Sequence, residues 1–235
     1  KNNGVFTVHK FWQKNQFMNA NKNCGETLRL TSSKRGISHL TASVHQNICQ
    51  ALEQTRHLKG DYVEIGVMRG GSALTAANYM KLAKIDRHLH LLDTYDGFNY
   101  EEAKTSSDSH WNGTHGLWGV EKTMKHVENV VHSECPKQKL TLTEANICKD
   151  DLPKEVEKIV VANIDVDMYE ATRDAMIKVA PKIVKGGIMI CEDPTSTPGL
   201  IGAFYAMEKF LETDLGKKFM KLHLVGQYFL VKLEE

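Results

Sequence analysis

Tyr62-Val-Glu-Ile-Gly-Val-Met-Arg-Gly-Gly-Ser72 takes a short apolar run to an acid and then turns through glycines. About one strand–helix unit later, Leu91-Leu-Asp-Thr-Tyr-Asp-Gly97 again closes an apolar run with an acid. Two acid-ended runs at this separation point to a doubly wound α/β domain. Such a domain holds an adenosine-containing ligand outside the carboxyl ends of its first two strands. The plainer alternative, glycines that only cap a strand, leaves the second acid to coincidence.

The glycine spacing narrows the ligand. A dinucleotide fingerprint needs G-x-G-x-x-G, so that backbone can approach a pyrophosphate. Here Gly66 is followed by Val67 and Met68, and the next glycines are Gly70 and Gly71. The span Gly66 to Ser72 also matches a phosphate-binding P-loop in length, but it lacks the lysine that neutralises a terminal phosphate. What remains is E-x-G-x-x-x-G-G-S, with Glu64 two residues before the first glycine. A carboxylate there repels phosphate but can accept from an ammonium group. S-adenosylmethionine carries an ammonium group and no phosphate, and Asp93 is then placed to accept from its ribose hydroxyls.

Composition fits one α/β domain with an appendage: 235 residues, 41% hydrophobic and 25% charged. A net charge of +1 gives no electrostatic case for nucleic acid or an anionic membrane surface. No apolar run approaches the ~18 residues that span a bilayer, and no secretory leader is visible. The five cysteines are scattered without a C-x-x-C pair. Cys191 reads as a buried free thiol, so a reducing, cytoplasmic setting is expected. The chain opens on Lys1 rather than methionine, which suggests a trimmed, processed or excised chain.

Residues 1–40 are polar and dotted with Phe6, Phe11, Trp12 and Phe17, and they read as an irregular or short-helical arm. The apolar spacing of Val44, Ile48, Ala51, Leu52 and Leu58 predicts a helix over 43–58. Residues 1–58 are therefore read as a substrate-side arm and cap, and 59–235 as the cofactor-binding domain. Within the latter, helices are predicted over 72–83, 121–131, 169–184 and 202–212. Strands are predicted around 62–65 and over 89–93, 139–144, 156–164 and 188–191. A C-terminal hairpin pairs 221–225 with 228–233. Lys185-Gly186-Gly187 is read as the stop of the fourth helix. The alternation gives a mostly parallel seven-stranded sheet with one antiparallel strand at its edge. Residues 95–118 show no sustained period and read as a lid or binding loop.

A second constellation is acidic. Asp165 and Asp167 follow one strand, and Glu192 and Asp193 follow the next. If those strands are parallel neighbours, the four carboxylates share the rim that carries Glu64 and Asp93. Clustered carboxylates repel unless a cation or shared proton offsets them, and Mg²⁺ prefers oxygen ligands. The alternative is that two of these acids cap the helices that follow.

Four blocks then resemble class I S-adenosylmethionine-dependent methyltransferases, and specifically the metal-dependent macrocin O-methyltransferase family. They are Val63–Ser72, Asp93-Thr-Tyr-Asp-Gly-Phe98, Asn163-Ile-Asp-Val-Asp-Met-Tyr-Glu-Ala-Thr172 and Pro181-Lys-Ile-Val-Lys-Gly-Gly-Ile-Met-Ile-Cys-Glu-Asp193. The resemblance spans about residues 60–212. It implies a Rossmann-like sheet, with Glu64, Gly66, Gly70, Gly71, Ser72, Asp93 and Thr94 along S-adenosylmethionine. It also implies Mg²⁺ or another divalent cation held by Asp165, Glu192 and Asp193. The family usually has glycine where this chain has Val166, and aspartate where it has Glu192, so a longer arm must reach the same ion.

The implied chemistry is O-methylation of a natural-product hydroxyl, of polyketide or glycosylated macrolide type. Asp165 and His115 are the candidate general bases. Trp111 and Trp118 are candidate walls of an apolar acceptor site, and Tyr169 is read as packing. A small-molecule hydroxyl acceptor and a homo-oligomer are the expected partners. Two alternatives stay open: a synthase domain acting on a carrier-protein-tethered intermediate, and a non-catalytic binding protein with this fold.

Overall fold

A computed structural model describes residues 20–34, 36–192 and 201–234. The expectations placed on Phe6, Phe11, Trp12, Phe17 and Asp193 lie outside those residues. The helices are α1 (Lys22–Ser32), α2 (Ala42–Gln54), α3 (Gly71–Ala83), α4 (Glu101–Thr105), α5 (Val120–Glu134), α6 (Tyr169–Val179) and α7 (Gly202–Glu212). The strands are β1 (Asp61–Ile65), β2 (Leu89–Asp93), β3 (Leu140–Glu144), β4 (Ile159–Ile164), β5 (Ile183–Glu192), β6 (Phe219–Leu224) and β7 (Gln227–Lys232).

The seven strands form one sheet in the order β3-β2-β1-β4-β5-β7-β6. The first five are mutually parallel, and β7 runs antiparallel to both β5 and β6. The antiparallel strand is thus interior, between β5 and β6, and not at the sheet edge as the sequence suggested. Strand order reverses between β1 and β4, the crevice where open α/β sheets bind ligands.

Period-two alternation divides the strand side chains between two cores. Tyr62, Leu89, Leu91, Val161, Ile188 and Phe229 face α1, α2, α3 and α5. Val63, Ile65, Leu92, Ala162, Met189 and Leu230 face α6 and α7. Every residue of β4 is buried, as a central parallel strand covered on both faces requires. Helix α3 is nearly all buried, and its Ala73, Ala76, Ala77 and Ala83 allow neighbouring helices to approach closely. Cys24 of α1 and Ile48 and Leu52 of α2 belong to the same core as the sheet.

Several predicted boundaries move. Helix α2 stops at Gln54, four residues early. Strand β4 starts at Ile159 rather than 156. Helix α6 ends at Val179, a 3₁₀ turn over Ala180–Lys182 follows, and β5 has begun by Ile183. Pro181 has no amide hydrogen for a continuing helix. Gly186 and Gly187 therefore do not stop a helix: they lie inside β5, where register moves from Ile159↔Ile183 to Val161↔Ile188. A side chain at Gly187 would bring Cβ within 2.8 Å of Val184 O and 3.0 Å of Val160 O, so this irregularity requires glycine. Residues 95–118 are likewise not structureless, holding α4 and a 3₁₀ turn over Ser109–Trp111.

Candidate active site

The glycine turn after β1 is shaped by close approach. Gly66 has φ 89°, and a Cβ there would lie 1.7 Å from the carbonyl oxygen of Asp165. No other residue fits between these strand ends. Asp93, at the end of β2, holds the turn from the other side. Its Oδ2 accepts from the Val67 and Met68 amides at 2.6 and 2.9 Å, and its Oδ1 accepts from Tyr95 N at 2.7 Å. Thr94 donates its hydroxyl to Gly97 O at 2.8 Å. One carboxylate therefore organises the turns after both strands.

Glu64 is placed differently from the sequence expectation. It shares strand parity with Tyr62 and points to the α2–α3 face. There it is fully buried, accepting from Tyr62 Oη and Ser72 Oγ at 2.6 Å each. Burial pushes its pKa up to about 7, against hydrogen bonds from Ser72, Tyr62 and Asn163 that lower it. Glu64, Gly70, Gly71 and Ser72 do not line the cavity described next; they build the turn and the start of α3 beneath it. Gly71 permits this, because a Cβ there would come within 2.5 Å of Ser38 Cβ.

A cavity of about 310 Å³ opens at the crevice. One wall runs along strand ends: Ala145–Ile147 after β3, Asp93 and Thr94 after β2, Gly66–Met68 after β1, and Asp165–Asp167 after β4. The opposite wall is the lid, with Phe98, Tyr100, Trp111, His115 and Leu117, joined by His39 and Leu40. The lid is pinned to itself. Phe98 N donates to Thr114 O and Gly113 N to Phe98 O, both at 3.0 Å, and a Cβ on Gly97 would lie 2.3 Å from Gly116 N.

His115 sits at the mouth, its ring centroid 4.8 Å from Phe98 and 5.7 Å from Trp111, with Nδ1 2.8 Å from Thr114 Oγ1. Burial, then the neighbouring His39, lowers its pKa below 6.5, so the ring is neutral at pH 7. Of the two tryptophans expected to wall the site, Trp111 lines it. Trp118 is half exposed and packs edge-on against His126 instead.

The acid rim is brought together in part. Asp93, Asp165 and Asp167 line the one cavity. Glu192 is buried at the end of β5, beside β4 through the Ile164↔Cys191 pair, and does not line it. Among the described residues no group of three His, Cys, Asp or Glu side chains is arranged to hold a metal ion. The donor chemistry fits a hard divalent cation, but the set expected from sequence needs Asp193 for completion.

Sequence reasoning missed where the backbone is strained. Five non-glycine residues among those described have positive φ: Met68, Lys84, Tyr95, His115 and Asp167. All except Lys84, the C-cap of α3, line the cavity. Strained backbone held by its surroundings concentrates at functional sites. No one-letter pattern announces it, because Met and Tyr are not residues that favour that region.

This sheet order, with its glycine turn and acid-ended β2 at the switch point, defines the class I methyltransferase fold, which takes S-adenosylmethionine as methyl donor. The chain belongs to the macrocin O-methyltransferase family, whose model matches residues 7–229. Demethyldecarbamoylnovobiocin O-methyltransferase of Streptomyces niveus is 25% identical over 169 residues, covering 65% of this chain. The match spans 60% of that relative's length. Among solved structures, the O-methyltransferase NovP superposes with a TM-score of 0.67 at 17% identity, covering 84% of this chain and 83% of its own. A calicheamicin methyltransferase gives a TM-score of 0.65 at 18% identity, covering 89% and 91%. Both show the same fold.

Proposed function

We propose that this chain is an S-adenosylmethionine-dependent O-methyltransferase acting on a hydroxyl of a small natural product, with a divalent cation such as Mg²⁺. The observation that carries the reading is the pairing of Asp93 and Asp165 on either side of the Gly66 turn, at the rim of one cavity that is also walled by the lid.

S-adenosylmethionine is already a reactive methyl donor, so the protein's task is to align the acceptor and prepare its oxygen. Asp93 keeps the Val67–Met68 turn in place and offers carboxylate edge to the ribose hydroxyls. Phe98, Tyr100, Trp111 and Leu117 give the acceptor an apolar wall and exclude water. His115, neutral and at the mouth, accepts the hydroxyl proton at a ring nitrogen; Asp165 is the other acceptor within the cavity. When bound by Asp165, Glu192 and Asp193, Mg²⁺ supplies acidification and orientation of the acceptor hydroxyl. The relative named for demethyldecarbamoylnovobiocin and the macrocin family model support a natural-product hydroxyl as acceptor.

Calorimetric titration with S-adenosylmethionine tests the donor. A screen of candidate acceptors for the mass gain of one methylene, with and without Mg²⁺, tests the rest. Absence of donor binding ends the enzyme reading.

A further inference from the structure

We infer that Asp108 is a positioning residue: its buried carboxylate fastens the lid to the first turn of α6 and so sets the spacing between the aromatic wall and the Asp165–Asp167 rim. The inference rests on the methyl-transfer reading of this cavity.

Asp108 is only 2% exposed. It ion-pairs with no lysine or arginine among the described residues. Its Oδ2 instead accepts from Tyr169 N, the first amide of α6, at 3.2 Å. The same oxygen faces the start of α7, where a Cβ on Gly202 would lie 1.9 Å from it. Neither helix caps itself: the N-cap residues are Met168 and Ile201, and neither makes a side-chain capping bond. Two helix N-termini, each with partial positive charge and unfilled amides, thus converge on one acid. That acid comes from the lid, 61 residues before Tyr169.

An ordinary cap is local and fixes only its own helix. This one joins two walls of a cavity. On the lid side, Asp108 N donates to Ser106 Oγ at 3.2 Å, and Asp108 O accepts from Trp111 N at 3.0 Å. On the other side, Met168 directly follows Asp167 and is buried against Phe98 and Ala103, with Tyr100 and Trp111 beside it. Tyr100 Oη lies 3.5 Å from Met168 Sδ. Apolar contact holds these surfaces together, but it tolerates sliding; the Asp108–Tyr169 bond fixes the register.

The test compares wild type with Asp108→Asn, Asp108→Leu and Gly202→Ala. The readouts are peptide-resolved hydrogen exchange and calorimetric affinity for S-adenosylhomocysteine. Leucine keeps the branched skeleton, though with bulkier methyls, and removes the acceptor, whereas asparagine keeps one acceptor oxygen and nearly the same size. Gly202→Ala displaces the carboxylate without altering it, and because its methyl would also lie 2.6 Å from Tyr169 N, it is read through the lid segment 97–112. Leucine and Gly202→Ala are expected to speed exchange about tenfold or more over both 97–112 and 165–172. Exchange over 62–74 and the affinity stay within about twofold, and asparagine returns both segments to near wild type. Unchanged protection of either segment in both Asp108→Leu and Gly202→Ala overturns the inference. So does a rise that includes 62–74, a parallel loss of affinity, or asparagine behaving as leucine does. If Asp108→Leu fails to fold, Gly202→Ala decides through exchange over 97–112, which its methyl reaches through the Asp108 carboxylate. Failure of the wild type to bind S-adenosylhomocysteine would instead remove the methyltransferase reading, while the exchange data still decide what Asp108 does.

Discussion

A single methyl group added to Gly66 would stand 1.7 Å from the carbonyl oxygen of Asp165. The turn after β1 and the acid rim after β4 therefore share one space, and Asp165 N donates to Ile65 O at 2.9 Å to close it. Gly66→Ala must push the two strand ends apart and also adopt a φ of 89° with a side chain. The expected cost is about 3 kcal/mol or more, with loss of S-adenosylmethionine binding. A variant with the wild-type urea midpoint and affinity would sink this account.

Asp93 carries three backbone amides, from Val67, Met68 and Tyr95. Asp93→Ala leaves them unanswered at a half-buried position, costing about 2 kcal/mol of stability. The turn that cradles the donor loosens with it, and the dissociation constant for S-adenosylmethionine is expected to rise at least about tenfold. Asp93→Asn, which retains one acceptor oxygen, should fall between. Calorimetry showing alanine equal to wild type would contradict the assignment.

Glu64 gives a pH signature. Its folded pKa of about 7 lies above the ordinary 4.5, so the folded protein holds this proton more tightly than the unfolded chain. The associated stability is fully present below about pH 4.5 and is lost as pH rises through about 7. A shift from 4.5 to about 7 is worth on the order of 3 kcal/mol. Glu64→Gln cannot ionise, so it should gain stability relative to wild type between about pH 5 and pH 8. Denaturation curves that stay parallel across that range would reject the explanation.

For His115, replacement by alanine should lower turnover by about 10²–10⁴-fold while S-adenosylmethionine affinity is kept. Its lowered pKa places the acid limb of the wild-type rate profile below pH 6.5, and the variant should lose that limb. Turnover insensitive to the substitution would hand the base role to Asp165.

Chelation supplies the metal test. Treatment with EDTA is expected to abolish methyl transfer and added Mg²⁺ to restore it, with donor affinity unaffected throughout. Asp165→Ala should reproduce the chelated state and resist rescue. Full activity in EDTA would leave His115 and the cavity to act without a cation.

Much of this was legible from residues. The apolar runs ending at Ile65, Asp93 and Ile164 became strands because parallel strands covered on both faces read as continuous hydrophobic stretches, whereas β3, Leu-Thr-Leu-Thr-Glu, alternates as a half-buried edge strand. Asp93 and Asp165 were found for the same reason: an acid that ends such a run must sit at the sheet's rim. Glu64 was misjudged by direction. It precedes the last strand residue, Ile65, so parity turns it toward Tyr62 and Ser72; reading in steps of two from Tyr62 would have shown this. The Gly186–Gly187 pair looked like a helix stop because glycine also ends helices, and only pairing with β4 distinguishes the two uses. Asp108 carried no signal, since its partner Tyr169 becomes a neighbour only through the tertiary fold.

The interior position of β7 has a consequence for synthesis. It is seventh in chain order yet lies between β5 and β6, so a ribosome that has not passed Lys232 presents an open seam beside Ile188 and Ile190. Until that last strand arrives, β6 has nothing to pair with, and β5 offers a bare template to any passing chain. Nascent-chain trimming before Gln227 should therefore yield aggregates rather than a smaller native protein, whereas a fusion beyond residue 234 leaves the seam closed.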